Sequence, residues 1–162
     1  MDFLLRLEQS GFSTWVKEST SLFAFPGILL LHTIGMALVV GVGAAIDLRI
    51  LGFAPGVPLE PLEKFIPVLW VGFWINAATG TILVTVNATS LVANADFYVK
   101  LLFIALALIN LRFLRNRIFR DPHIDKRPLS THDRFLAATS LICWLGAIVS
   151  GRLLAYVGNV RH

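Results

Sequence analysis

The sequence predicts an all-α integral membrane protein, a four-helix up-and-down bundle preceded by an amphipathic interfacial helix. Three observations predict it. Hydrophobic residues make up 56% of the 162 positions and charged residues only 15%, against roughly a quarter charged in soluble domains. The mean hydropathy is +0.75, so the bulk solvent for most of the chain is lipid. Four stretches are long and apolar enough to cross a hydrocarbon layer of about 30 Å, and polar connections turn the chain back after each. The length leaves room for a single transmembrane domain, 1–162, without internal repeat or low-complexity tract.

Residues 2–17 interleave Phe3, Leu4, Leu7, Phe12, Trp15 and Val16 with Arg6, Glu8, Gln9 and Lys17, the mixture of one or two short amphipathic helices lying in the headgroup zone. Acidic residues and the lack of a continuous apolar core there argue against a cleavable signal peptide. The first span covers 21–46, uncharged until Asp47, with Pro26 in its opening turns where a missing amide costs little. Its Thr33, Ala37, Gly41 and Ala45 recur every fourth residue, a small-residue stripe expected to receive a neighbouring helix. Three prolines and two glycines mark 52–61 as a connection.

The second span covers 65–86. There Gly72, Asn76 and Gly80 align at four-residue spacing, an amide between two close-approach positions, and Trp70 and Trp74 form a second stripe. Residues 87–96 connect to the third span, 97–114, with Asp96 expected as its cap. Only 101–111 is uncharged, so Lys100 and Arg112 lie near opposite surfaces and either snorkel or find partners inside the bundle. A polar loop with Pro122 and Pro128 leads to the fourth span, 135–157. Trp144, Ile148, Arg152 and Tyr156 share one of its faces, and Gly146 with Ser150 offers a close-packing edge on another.

Charge gives an orientation. The net charge is +4, and nine of the fourteen Lys and Arg (Arg49, Lys64, Arg112, Arg115, Arg117, Arg120, Lys126, Arg127 and Arg134) fall on loops one and three. Those loops are expected in the cytoplasm and both termini in the periplasm. The same clustering makes the excess a topology signal rather than a nucleic-acid face. The single cysteine, Cys143, lies mid-span and allows no intrachain disulfide.

One imidazole at hydrocarbon depth, His32, is the main candidate for chemistry, because a polar ring there is costly unless something binds or uses it. In the expected topology Lys100 and Arg152 form a cationic layer, with His32 deeper by roughly 9 to 12 Å at about 1.5 Å rise per residue. That offset resembles the separation of a haem iron from its propionates, with His32 as metal ligand, Lys100 and Arg152 at the carboxylates, and Trp70, Trp74 and Trp144 walling the macrocycle. Asn76 and Tyr156 complete the candidate cofactor-binding set. No other histidine lies within a span; Met36 lies one turn along the same helix and cannot reach the opposite face of the same iron, and His123, His132 and His162 lie in a loop or tail. A haem b is then five-coordinate, completed by a partner subunit, or shared across a dimer; a quinone or a proton relay at His32 is the other chemical option. The structural option is that His32 bonds Asn76 or a backbone carbonyl and fastens two helices, while Lys100 and Arg152 snorkel. Asp47, Arg49, Asn110 and Arg112 are expected to form an interfacial hydrogen-bond and ion-pair cluster. No nucleophile with its base, phosphate loop, zinc spacing or intramembrane carboxylate pair is present, so the chain is not expected to be an enzyme on its own.

The strings LHTIGMALVVG (31–41), DLRILG (47–52), WVGF (70–73), ATG (78–80), ADFYVK (95–100) and GRLLAY (151–156) resemble an uncharacterised family of small four-span bacterial inner-membrane proteins, a domain of unknown function. The resemblance covers nearly the whole chain and implies the four-span fold and the bacterial cytoplasmic membrane. The leading functional expectation is a small membrane subunit of a redox or respiratory assembly, binding haem b or quinone near His32. The alternatives are a non-catalytic accessory or scaffold subunit and a small metal or solute transporter. The expected partners are the lipid bilayer and other membrane subunits or further copies of the chain.

Overall fold

The structure, a computed structural model, describes residues 2–120, 124–125 and 128–160, with only the backbone at 155–160. The described residues form helices and their connections, without strand: α1 (Asp2–Glu8), α2 (Gly11–Glu18), α3 (Phe25–Leu51), α4 (Ile66–Val86), α5 (Ala88–Val92), α6 (Ala95–Leu114) and α7 (Thr131–Val160). A 3-10 segment, Glu60–Phe65, leads into α4, and a π-helical segment, Arg115–Phe119, prolongs α6. α3, α4, α6 and α7 contain the four candidate membrane spans, so this is a multi-pass membrane protein built on an all-α four-helix bundle.

The ends differ from expectation in three places. α3 starts after a turn at 21–24 and continues through Asp47, ending where Gly52 takes the left-handed conformation and its N–H bonds Leu48 O and Arg49 O. Asp47 therefore belongs to the helix body. The cap of α6 is Asn94, whose side chain accepts the Asp96 N–H at 2.9 Å; Asp96 is already helical and contributes its charge to the first turn. The second connection holds the short α5, too brief for periodicity to announce.

α3 packs along α4, α6 along α7, and α3 against α7, whereas α4 and α6 scarcely touch. The spans thus form an arc in the order α4, α3, α7, α6, open between its two ends. The α3–α4 crossing is made by Gly35 and Gly72: a Cβ at Gly35 would lie 2.8 Å from both Asn76 N and Gly72 O. This corrects the expected stripe. Thr33, Ala37, Gly41 and Ala45 are all exposed, and the inward face of α3 carries Gly35, Val39, Gly43 and Ile46 instead. The Gly72, Asn76, Gly80 row of α4 does face α3, and Gly146 meets the Phe103 ring while Ser150 is buried.

Three apolar clusters fill the arc: Ile46, Ile50, Leu114, Ile118 and Ala137 toward one end, Val39, Leu69, Ala107, Leu111 and Trp144 in the middle, and Val16, Ile28 and Val86 at the other end. The outward faces are apolar too, with Leu30, Trp74, Phe113 and Ile142 exposed, as lipid-facing surfaces require. Asp125 ties the first and third connections together by accepting the Leu59 N–H at 2.6 Å and the Glu60 N–H at 3.3 Å. The expected ion-pair cluster at this end does not form. The Arg49 guanidinium donates to Val57 O, and Asn110 donates across to Leu136 O and Thr139 of α7 at 2.9 and 2.7 Å, and Asp47 pairs with no cation among the described residues.

At the opposite end Glu8 clasps the N-terminal segment to the bundle. Its carboxylate accepts from the Thr89 hydroxyl and N–H of α5 and pairs with Lys17 at 3.1 Å. The Thr89 hydroxyl, with help from Lys17, holds this carboxyl below the usual range. A carboxyl depressed on folding contributes stability that is fully present above its unfolded value of about 4.3 and is lost as pH falls through the lower folded value. The hydrogen-exchange protection factors of α1, corrected for the intrinsic pH dependence of exchange, should therefore fall on acidification below about pH 4. Glu8→Gln, which keeps an acceptor, should flatten that dependence; an unchanged pH profile would show that the clasp does not hold α1.

Candidate functional site

The gap between α4 and α6 is a cavity of about 460 Å³, floored by α3 and α7. Its lining is mostly apolar, with Phe73, Phe97, Ile104 and Ile148 among the walls, and six polar side chains border it: His32, Asn76, Thr81, Thr85, Lys100 and Trp144; the Thr81 and Thr85 hydroxyls donate to Ala77 O and Thr81 O of their own helix. The volume lies within the range of about 300 to 1,000 Å³ usual for small-molecule sites.

His32 is held from α4. Gly80 makes room for the ring, since a Cβ there would lie 3.2 Å from Cε1. Asn76 donates its amide to the His32 carbonyl at 2.7 Å, and Nδ1 of the ring lies 3.0 Å from the Thr79 hydroxyl. That hydroxyl donates to Ile75 O at 2.7 Å, the usual self-satisfaction of a helical threonine, so its oxygen is left to accept. With the Thr79 proton on Ile75 O, the ring proton falls on Nδ1, and Nε2, which has no hydrogen-bond partner among the described residues, is an acceptor on a ring that borders the cavity. Orientation of one imidazole nitrogen by an outer partner is also how proteins prepare the other to bind a ligand.

Lys100 enters from α6. Its alkyl chain lies against Gly151 of α7, with Cε 3.5 Å from the position a Cβ would take, and its ammonium has no acceptor among the described residues. Trp144, 5% exposed, packs its indole over Gly43, and its N–H is likewise without an acceptor among the described residues. The site therefore joins the His32 ring nitrogen and the Thr81 and Thr85 hydroxyl oxygens, as acceptors, to the Lys100 ammonium as donor inside mostly apolar walls.

Of the residues singled out from sequence, His32, Asn76, Lys100 and Trp144 meet at this cavity, and Met36 borders it on the same helix as His32. Trp70 and Trp74 do not border it. They are 38% and 65% exposed and flank Phe73, whose ring meets theirs edge-on at 5.5 and 5.3 Å and is itself the wall. Arg152 has an exposed side chain beside Gly151 and is not part of the lining. The side chain of Tyr156 lies outside the described residues, as do His123 and His162; His132 is exposed in the first turn of α7. Sequence reasoning missed Thr79, three residues after Asn76 on the same face of α4, although that spacing was the available signal. Among the described residues no three His, Cys, Asp or Glu side chains gather as a metal site.

Comparison with models of known families, with curated proteins and with solved structures finds no match. Function must accordingly be argued from the cavity itself.

Proposed function

We propose that this protein is a small integral membrane subunit of a redox assembly that holds haem b or a quinone in the cleft between α4 and α6, at His32. One observation carries the reading: a ring nitrogen with its lone pair free borders an apolar cavity, next to a lysine without an acceptor. Polar groups at membrane depth are expensive, and leaving a donor and an acceptor both unspent makes sense when a ligand spends them. For haem, Nε2 of His32 would bind the iron and Lys100 would pair with a carboxylate. For a quinone, His32 and Lys100 would take the ring oxygens. By itself the chain carries binding and positioning groups and no catalytic constellation, so we read it as a subunit and not as a free-standing enzyme.

The resemblance carried by 31–41, 47–52, 70–73, 78–80, 95–100 and 151–156 supports the bacterial cytoplasmic membrane as the location. The basic residues of loops one and three support a cytoplasmic position for those loops and a periplasmic one for both termini. The open arc and the exposed apolar faces support contact with other membrane subunits or with another copy of the chain.

Absorption spectra and solvent extracts of protein purified in mild detergent test the reading. Wild type should carry a Soret band or an extractable quinone, and His32→Ala should lose at least nine-tenths of it, about 1.4 kcal/mol or more of binding. A colourless, quinone-free protein that co-migrates with a larger complex would favour the scaffold reading, for which the Asn76 bond to the His32 carbonyl is the supporting observation. Cysteine labelling along α3 and α4 separates off a transporter, which needs a water-accessible path past Asn76 and His32.

A further inference from the structure

We infer that the cleft selects the reduced, hydroxyl-bearing form of an isoprenoid quinone, the quinol, over the oxidised form and over haem. The inference rests on the redox reading above and names its ligand.

The tautomer of His32 decides the direction. Because the Thr79 proton is spent on Ile75 O and Nδ1–H is spent on Thr79, Nε2 is an acceptor and nothing else. A quinone ring presents two carbonyl oxygens, which are acceptors only, so one placed at Nε2 sets lone pair against lone pair. A quinol presents a hydroxyl at each end of its ring, one of which donates to Nε2. The oxygen at the far end is then free to accept, and the cavity offers it the Lys100 ammonium, which has no acceptor among the described residues. A quinone regains a bond at His32 only if the ring takes the other tautomer, which requires the Thr79 hydroxyl to leave Ile75 O and turn to Nδ1. Losing that 2.7 Å bond sets the scale of the preference. One hydrogen bond corresponds to about tenfold in affinity.

The route is consistent with a lipid-soluble ligand. α4 and α6 scarcely touch, so the cavity between them lies open along the arc toward the surface that faces lipid, and an isoprenoid tail leaves by the same gap. Haem suits the polar layout less well. It needs a second cation for its second carboxylate, and Arg152 does not border the cavity. His32 is also the only histidine among the cavity's lining residues.

The test is calorimetric titration of the full chain in lipid nanodiscs, under argon, with a decyl-substituted benzoquinol and with the matching benzoquinone; hemin is added separately and followed by its Soret band. Wild type should bind the quinol about tenfold more tightly than the quinone. Thr79→Val removes the group that holds the tautomer, so the preference should fall toward unity while both forms still bind; Thr79→Ser should restore it. Lys100→Met should weaken both forms alike. Should Thr79→Val fail to fold, His32→Gln, which offers donor and acceptor together, should also erase the preference. Equal or tighter quinone binding by wild type, or hemin binding without quinol binding, overturns this inference and leaves the redox-subunit reading standing. Absence of binding by quinol, quinone and hemin sinks both.

Discussion

Replacing Gly35 with valine should separate α3 from α4 and remove the cavity with them. A Cβ at this position would lie 2.8 Å from Asn76 N, 2.8 Å from Gly72 O and 3.1 Å from the Asn76 Cβ. The two closest neighbours are backbone atoms, so no rotamer change relieves the clash and the helix axes themselves must part. Overpacking alone costs about 1 to 3 kcal/mol. Parting the axes also stretches the Asn76 bond to His32 O, now 2.7 Å, and the His32 contact with Thr79, now 3.0 Å. Interhelical bonds in membranes contribute about 0.6 kcal/mol each on average, so the whole change should reach about 3 kcal/mol or more. Unfolding of the detergent-solubilised protein by SDS, followed by helical circular dichroism, measures it. Gly41→Ala is the control: Gly41 is exposed on the same helix with nothing within 4 Å of its would-be Cβ. It should move the midpoint by no more than about 0.5 kcal/mol. Equal effects of the two substitutions would show that α3 presents a different face to α4.

That contrast also marks what could be read from the chain alone. The four spans were legible because lipid demands long uninterrupted apolar runs, and nothing else in the sequence imitates them. The facing of each span was much less legible. α3 is apolar all round, so Thr33, Ala37, Gly41 and Ala45 make as regular a row as Gly35, Val39 and Gly43, and only packing distinguishes them. Four of the cavity's polar groups, His32, Asn76, Lys100 and Trp144, stood out because any such group at depth does. Thr79 did not, since a helical threonine that bonds its own backbone looks satisfied; its further use as an acceptor for His32 depends on another helix. Trp70 and Trp74 drew attention by size, yet the residue between them, Phe73, is the one that points into the arc.

Asp47 should behave in the opposite sense to most buried positions: Asp47→Asn should stabilise the protein. The carboxyl is 2% exposed in the body of α3, its Oδ2 has no hydrogen-bond partner among the described residues, and the buried Ser140 hydroxyl is a polar neighbour. Arg49, the nearest cation in sequence, is turned to Val57 O. A buried acceptor without a partner costs about 1 to 3 kcal/mol, and more where it carries charge. Asparagine keeps the shape and never bears a charge, so the cost of burying an ionisable group is gone and a gain of about 1 to 2 kcal/mol is expected in the same SDS unfolding measurement. Asp133 supplies the contrast within one residue type. Its carboxylate accepts from the Ser130 N–H at 2.9 Å and hydroxyl at 2.8 Å, while Ser130 accepts the Asp133 N–H at 3.2 Å, a reciprocal cap on the start of α7. Arg117 adds a bond at 2.7 Å, screened because its own side chain is 45% exposed. Asp133→Ala should therefore cost about 2 kcal/mol, the value of a cap plus a charged hydrogen bond. The opposite signs isolate partnering from burial, since both carboxyls are almost fully covered. A loss on Asp47→Asn as large as that at Asp133 would mean that Asp47 has a partner in the membrane, and the face of α3 toward α7 would then be a second polar site instead of a strained one.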